Sequence, residues 1–162
     1  MPFKEIERLS PNRDLGRQEG LGVMFHHSES DFEATIDLML RPEAKVSYHC
    51  LIDGDGTRCT LVPDADIAWH AGASSFLGRT RCNDFLFGVA FAGNTAVTPL
   101  TWPQIDSALE WLGVRWAARG WDLTRMTDHR QASPGRKVDL DPGQWLVLIG
   151  ALNRRFGRPP TP

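Results

Sequence analysis

Phe85-Leu86-Phe87-Gly88-Val89-Ala90-Phe91 is an apolar run, interrupted by one glycine and closed by Gly93-Asn94. Runs without polar alternation are typical of strands that are buried on both faces of a sheet. Leu21-Gly22-Val23-Met24-Phe25 is a second apolar run, and it ends in the pair His26-His27. The two runs predict a buried sheet in which residues 85–91 form the central strand.

A hairpin is predicted around Asp53-Gly54-Asp55-Gly56, because Asp-Gly steps supply the positive φ angles of a tight turn. Its strands would span residues 45–53 and 57–62. If the turn is centred on the Gly-Asp pair, Cys50 faces Cys59; if it is centred on the second Asp-Gly pair, the two cysteines miss each other. The sequence leaves both registers open.

Three helices are predicted from apolar side chains that recur on one face. They span residues 30–40, 102–119 and 143–156. Ser30 and Thr101 each begin a capping-box pattern, which marks the start of the first two helices.

Short strands at residues 67–72 and 123–128 and a loop at residues 73–84 complete the predicted order of elements. Strands and helices alternate, which favours an α/β fold: a single domain with a central mixed β-sheet flanked by helices. Residues 1–20 are interpreted as an arm wrapped on this domain, and residues 157–162 as a loose tail.

Composition limits the classes of function. The chain has 162 residues, of which 41% are hydrophobic and 23% charged, and its net charge is −2. These values predict one globular domain and give no indication of a nucleic-acid partner. No apolar run approaches the ~20 residues of a membrane span, and the first residues lack the apolar core of a signal peptide, so synthesis in the cytoplasm is expected. Three cysteines (Cys50, Cys59, Cys82) do not make a disulfide framework.

A metal site is predicted from two distant segments. His26 follows the first apolar run, and residues 128–139 place His129, a lysine and Asp139 around a Pro-Gly turn. Two imidazoles and one carboxylate suit zinc and leave a fourth position open for water, as in catalytic zinc sites. Alternatively, each histidine is an ordinary hydrogen-bonded or surface residue. The neighbouring His27 and His49 are interpreted as supporting or sheet residues.

These residues belong to a larger set of motifs. Together with Trp69-His70-Ala71-Gly72 and Arg81-Cys82-Asn83-Asp84-Phe85, they resemble the zinc-dependent N-acetylmuramoyl-L-alanine amidases of the type 2 family. That family includes phage endolysins, the cytosolic amidase that recycles anhydro-muropeptides, and the animal peptidoglycan-recognition proteins. The resemblance extends from about Val23 to Pro142 and implies an α/β domain with a zinc site at the strand ends.

The resemblance also implies roles for the metal-site residues. His26, His129 and Asp139 match the family's zinc ligands, and Lys137 matches the lysine that stabilises the oxyanion of the tetrahedral intermediate. Asp141 is a rival third ligand, because many members have Asp-Pro-Gly at that point. Spacing from His129 and Lys137 favours Asp139, which leaves Asp141 as a helix N-cap.

Ala90 departs from the pattern of the recycling amidase, which has a glutamate there as general acid or base. Other members lack that glutamate and have a tyrosine in the first hairpin strand. Tyr48, the only tyrosine of the chain, matches that tyrosine. The resemblance therefore implies that Tyr48 assists proton transfer.

Five further residues match positions that bind the substrate in the family. Lys45 and Arg81 match two arginines that bind carboxylates of the stem peptide, although a lysine cannot bind them in a bidentate manner. Trp69, His70 and Asn83 match residues that line the muropeptide groove.

The expected function is zinc-dependent hydrolysis of the amide bond between N-acetylmuramic acid and L-alanine. The exchange of glutamate for Tyr48 and the short link from His26 to Tyr48 favour a phage-type lytic enzyme. The alternatives are a recycling amidase for soluble anhydro-muropeptides and a peptidoglycan-binding module without catalysis. A monomer is expected, with peptidoglycan or a muropeptide as its partner. A lytic enzyme would act on the cell wall after release or export, and a recycling enzyme in the cytoplasm.

Overall fold

The computed structural model describes residues 1–157, in which a mixed sheet forms the centre. Its strands, with those of two small ribbons, are Glu5–Glu7 (β1), Arg13–Asp14 (β2), Gly22–His27 (β3), Cys50–Ile52 (β4), Arg58–Thr60 (β5), Ile67–Ala68 (β6), Ser75–Phe76 (β7), Arg79–Thr80 (β8), Leu86–Phe91 (β9) and Met126–Asp128 (β10). The main sheet has six strands in the order β1-β5-β4-β9-β3-β10, while β2 pairs with β6 and β7 pairs with β8. The predicted mixed sheet is thus confirmed, with β9 inside it.

The helices lie against this sheet. They are Phe32–Met39 (α1), Trp102–Trp116 (α2), His129–Ala132 (α3) and Pro142–Phe156 (α4), and short 3-10 turns occur at Pro42–Ala44, Cys82–Asp84 and Leu123–Arg125. One face of the sheet forms a core with α2 and α4, and the opposite face packs on α1. None of the helices in residues 1–157 is long and apolar enough to cross a membrane.

The register of the parallel strands determines where the site forms. β9 runs parallel to both β3 and β4, and β10 runs parallel to β3 with Asp128 beside Phe25. The carboxyl ends of β3 and β10 therefore meet at one edge of the sheet. His26 and His129 each come one residue after this matched pair, so the two histidines are brought together.

The first hairpin differs from the prediction in length and register. Its strands are the three-residue β4 and β5, with five residues (53–57) between them. Asp53 and Thr57 are hydrogen-bonded, which leaves a loop of three residues (54–56) in which Gly56 has a φ of +88°. A three-residue loop that ends in a left-handed residue is a common hairpin connection. Cys50 pairs with Thr60 and Leu51 with Cys59, so neither predicted centre was right and all three cysteines are free.

Several element boundaries also differ. Asp31, and not Ser30, caps α1, because its side chain accepts the amide hydrogen of Ala34. The strand expected at residues 45–53 begins only at β4, since residues 42–44 form a 3-10 turn. The loop at 73–84 contains β7 and β8, and the strand expected at 123–128 begins at β10 after a 3-10 turn.

The predicted N-terminal arm forms two short strands. The segment interpreted as an arm contributes β1, which pairs with β5 at the sheet edge, and β2, which pairs with β6. The helix expected to reach residue 119 ends at Trp116. Residues 158–162 of the expected tail lie outside the described part of the chain.

Candidate metal centre and substrate cavity

His26 and His129 face each other across the strand ends. Their Nδ1 atoms are 3.0 Å apart, and both side chains are buried. His26 is in β3, and His129 is the first residue of α3, which Asp128 caps by accepting the amide hydrogen of Gln131. The cap fixes the direction in which the chain leaves β10, and therefore the direction of the His129 ring.

Hydrogen bonds on the far side of each ring determine the tautomers. His129 Nε2 lies 2.9 Å from the carbonyl oxygen of Ala71, which can only accept, so Nε2 carries the proton. His70 Nε2 likewise lies 3.0 Å from the carbonyl oxygen of Leu86, which leaves His70 Nδ1 to accept from His26 Nε2 at 2.9 Å. Both Nδ1 atoms at the centre therefore present bare lone pairs, the form in which an imidazole binds a metal.

Asp139 completes the centre. Its carboxylate oxygens lie 3.4 Å from His26 Nδ1 and 3.5 Å from His129 Nδ1. Burial alone would raise the pKa of Asp139, but the adjacent His129 and His26 hold that pKa below the usual range. Burial lowers the pKa of His26 to about 4 despite the nearby Asp139, so His26 is neutral at pH 7.

The donor set fits a metal ion. One ligand atom from each of His26, His129 and Asp139 lies within 4.8 Å of the others. Two bare nitrogen atoms and a carboxylate would repel one another at these distances unless a cation or a proton lies between them. Neutral imidazole nitrogen atoms with a carboxylate oxygen are a donor set that zinc prefers.

The rival carboxylate has a different role. Asp141 caps α4, because its Oδ2 accepts the amide hydrogens of Gly143 at 3.0 Å and Gln144 at 3.2 Å. Asp139, two residues earlier, is the carboxylate that lies beside both histidines. Of the two carboxylates, Asp139, which spacing favours, is the one placed to bind a metal together with these histidines.

A cavity of about 300 Å³ opens beside the centre. It is lined by His26, His27, Ser28, Glu29, Val46, Tyr48, His70, His129, Arg136, Lys137, Val138 and Asp139. A centre that has three protein donors and an open cavity can admit water and a substrate, as catalytic metal sites do.

Tyr48 and Lys137, the two predicted catalytic residues, both line this cavity. The ring of Tyr48 lies 5.1 Å from the ring of His26, measured between centroids. Burial, followed by the negative charges of Asp139 and Glu29, raises the pKa of Tyr48 well above its usual value. The phenol therefore keeps its proton at neutral pH.

Ala90 lies beside the centre, because it pairs with His26 in the register of β9 and β3. Paired residues of neighbouring strands point to the same face of a sheet, so a side chain at this position is directed toward the metal side. Ala90 and Tyr48 belong to the same apolar cluster. The structure thus has a methyl group and a phenol on this side of the centre.

The five predicted substrate residues are dispersed. His70 lines the cavity and connects His26 to β9, where a side chain on Gly88 would meet the His70 ring at 2.5 Å. Asn83 does not line it; its side-chain oxygen accepts the amide hydrogens of His70 and Ala71 and so holds the loop that orients the histidines. Trp69 is half-buried.

The two cationic members of this set do not line the cavity beside the centre. Lys45 is exposed in a left-handed conformation with a φ of +52°. Arg81 is exposed, pairs with Asp84 at 3.0 Å, and lines a different cavity of about 430 Å³.

Three cavity residues with ionisable side chains had no assigned role in the site from the sequence: Glu29, Arg136 and, beyond a supporting role, His27. Arg136 lies inside the motif that contains His129 and Asp139, which is a signal that sequence reasoning could have used. The orientations of His27 and Glu29 depend on distant residues, so no local pattern indicates them.

A mixed sheet with a His-His-Asp centre at its strand ends defines a class of metal-site α/β domains. Residues 17–144 match the family model described as N-acetylmuramoyl-L-alanine amidase, and the chain belongs to that amidase 2 family.

The relatives agree with this assignment. The 1,6-anhydro-N-acetylmuramyl-L-alanine amidase AmpD of Citrobacter freundii is 38% identical over 119 residues, which cover 68% of this chain and 62% of that relative. The chain therefore spans less than two thirds of that protein's length. A crystal structure of an AmpD derivative superposes with a TM-score of 0.75 at 27% identity, covering 92% of this chain and 93% of the other. A mutant endolysin from Bacillus subtilis has a TM-score of 0.74 at 17% identity, covering 93% and 99%, and is similar in fold.

Proposed function

We propose that this protein is a zinc-dependent amidase that hydrolyses the bond between N-acetylmuramic acid and L-alanine. One observation carries the proposal: His26, His129 and Asp139 converge with bare donor atoms beside an open cavity, in a chain of the amidase 2 family. His26, His129 and Asp139 would be the zinc ligands.

Lys137 and Tyr48 would have different roles around the reacting amide. A zinc ion held by His26, His129 and Asp139 would act as a Lewis acid, which would polarise the carbonyl and lower the pKa of water toward about 7. Lys137, exposed at the cavity wall, places a positive charge where the carbonyl oxygen becomes negative. Tyr48 remains a phenol, so it donates a hydrogen bond that orients the reacting oxygen atoms rather than removing a proton as a base.

A soluble anhydro-muropeptide is the substrate that we favour. The sequence motifs favoured a phage-type lytic enzyme, but the relative that is 38% identical is named for the 1,6-anhydro substrate. The endolysin neighbour, at 17% identity, supports the fold alone. An enzyme of soluble muropeptides would act as a recycling amidase in the cytoplasm, and a monomer would suffice.

The remaining predicted residues would act around the groove. Arg81 and Lys45 would bind carboxylates of the stem peptide. Trp69 would contact the muropeptide, while His70 and Asn83 would position the His26 ring and the loop beside it.

A peptidoglycan-binding module without catalysis is the second candidate. Ala90 favours it, because the residue of β9 that pairs with His26 has no carboxylate to transfer a proton. Such a module would bind muropeptides and leave them intact.

Measuring both the zinc content and the reaction products of the purified protein distinguishes these functions. We expect one zinc per chain, lost in His129→Ala, and release of the stem peptide from a soluble anhydro-muropeptide but not from whole sacculi. The exposed Arg79→Gln variant is the control for the effect of mutation as such. A metal-free wild type, or a zinc-loaded one that binds the muropeptide without cleaving it, would refute the amidase proposal.

A further inference from the structure

The tautomer of His27 is fixed by its neighbours. His27 Nδ1 lies 3.1 Å from the amide nitrogen of Thr95 and 2.8 Å from the Thr95 hydroxyl. That hydroxyl oxygen accepts the amide hydrogen of Asp141 at 2.9 Å, which leaves its own hydrogen free to point at Nδ1. His27 Nδ1 therefore accepts, and the ring proton is on Nε2.

The Nε2–H group of His27 has no acceptor within residues 1–157. The side chain is only 2% exposed, so bulk water does not solvate this donor. Buried donors in folded proteins nearly always have a partner, because an unpaired one is unfavourable. His27 lines the same cavity as His26 and His129, so the occupant of that cavity is where an acceptor can come from.

Glu29 limits what the acceptor can be. Its carboxylate oxygen lies 3.7 Å from His27 Nε2, which is too far for a hydrogen bond. The backbone holds Glu29 in place, with a φ of +66° and a hydrogen bond of 2.8 Å from its amide to the carbonyl of Gly93. A negative charge so close to the donor would repel an anionic ligand at Nε2. A neutral group that can both accept from His27 and donate to Glu29, such as a hydroxyl or a carboxamide, fits both residues.

We infer that His27 and Glu29 form a substrate subsite, in which His27 Nε2–H donates to a neutral hydroxyl or amide oxygen of the muropeptide. Glu29 discriminates there against a carboxylate. This inference rests on the proposed function, since it names a second contact of the same substrate. Nothing in it requires either residue to transfer a proton.

Two variants of His27 test the roles of its two ring nitrogen atoms separately. His27→Asn keeps an acceptor where Nδ1 meets Thr95 but has no donor at the position of Nε2. His27→Gln places an amide N–H at about the position of Nε2. We expect His27→Asn to raise KM about tenfold with little change in kcat, and His27→Gln to stay within about threefold of wild type.

Two substrates locate the acceptor: 1,6-anhydro-N-acetylmuramoyl-L-alanyl-D-isoglutamine and the same anhydro compound with D-glutamate. If the oxygen is in the peptide, wild type prefers the isoglutamine form and Glu29→Gln removes the preference. If it is in the sugar, His27→Asn raises KM equally for both. An unchanged KM for both substrates in His27→Asn, with zinc content and melting temperature retained, would overturn the inference, as would His27→Gln behaving like His27→Asn.

Measurements on the wild type do not depend on either variant folding. In protein labelled with 15N-histidine, the Nε2 proton signal of His27 should shift and exchange more slowly when the anhydro-isoglutamine compound is added; an unmoved signal at saturating ligand contradicts the subsite. If wild type cleaves neither substrate, the proposed hydrolysis fails by itself. Calorimetric affinities of wild type and His27→Asn for the isoglutamine compound then decide the subsite, and equal affinities reject it.

Discussion

Arg136 fixes the carbonyl group that orients His129. Its Nη2 lies 2.7 Å from the carbonyl oxygen of Ala71 and 2.8 Å from that of Ala73. The Ala71 oxygen also accepts the Nε2–H of His129 at 2.9 Å. A planar guanidinium that reaches both carbonyls of one loop holds that loop against the turn after α3. Arg136 is therefore a positioning residue for the metal centre, since it acts on His129 through Ala71.

Replacing Arg136 by glutamine should weaken zinc binding about tenfold, because outer hydrogen bonds of metal-bound histidines contribute to affinity. The affinity is measured by competition with a chromophoric chelator. Arg79→Gln is a matched control, since Arg79 is exposed and pairs with Glu19 away from the centre. Equal affinities of Arg136→Gln and this control would show that Arg136 does not support His129.

At the scale of elements, two carboxylates that lie just before the body of α4 have different functions. Asp139 lies beside the two histidines, whereas Asp141 caps the helix. Asp139→Ala should abolish stoichiometric zinc binding. Asp141→Ala should retain one zinc and lower the free energy of unfolding by about 1 kcal/mol, the usual cost of losing a cap. Zinc analysis and urea unfolding of both variants check this, and loss of zinc from Asp141→Ala with retention in Asp139→Ala would reverse the assignment.

Elements with strong local signals were predictable from the sequence. The capping box of Thr101 and Gln104 opens α2 as expected, and the apolar run at residues 85–91 contains β9. Asp31 replaced Ser30 as the cap of α1 because neighbouring Ser and Asp residues are both good caps. The hairpin register was missed because the loop has three residues, which neither two-residue turn allowed for.

The metal centre was predictable in composition but not in arrangement. Residue type and spacing indicated His26, His129 and Asp139, but the tautomers depend on carbonyl groups in other segments, at Ala71 and Leu86. Tertiary contacts of this kind leave no local pattern in the sequence.

At the scale of the whole molecule, four of the buried histidines form one polar layer on the sheet. His26 bonds to His70, whose ring packs edge-on to His49 at 6.2 Å between centroids, and His129 lies on the other side of His26. His49 anchors this layer, since its Nδ1 accepts the amide hydrogen of Gly88 and its Nε2 donates to the carbonyl of Asp66. The hydrogen bonds of this layer can all form only while its imidazole rings are neutral.

The protein should therefore lose stability in mild acid when it is free of metal. Burial lowers the pKa of His49 from 6.5 to about 4, with the Asp66 carbonyl opposing the shift. Between these two pH values the unfolded chain binds a proton that the native state excludes, so the free energy of unfolding falls as pH decreases from 6.5 to about 4 and is unaffected by His49 above 6.5. The shift corresponds to about 3 kcal/mol for this one residue.

Urea unfolding of chelator-treated protein from pH 4 to 7.5 measures this dependence. His26 and His70, whose pKa values burial also lowers, add to the slope in the same direction. His49→Gln isolates the contribution of His49, because its amide can still donate to the Asp66 carbonyl but cannot bind the proton. The variant should be less stable than wild type at pH 7, since Gly88 loses its acceptor, and its stability should fall less steeply between pH 6.5 and 4. Parallel curves for the two proteins would mean that His49 takes up its proton in the native state, and that this layer tolerates charge.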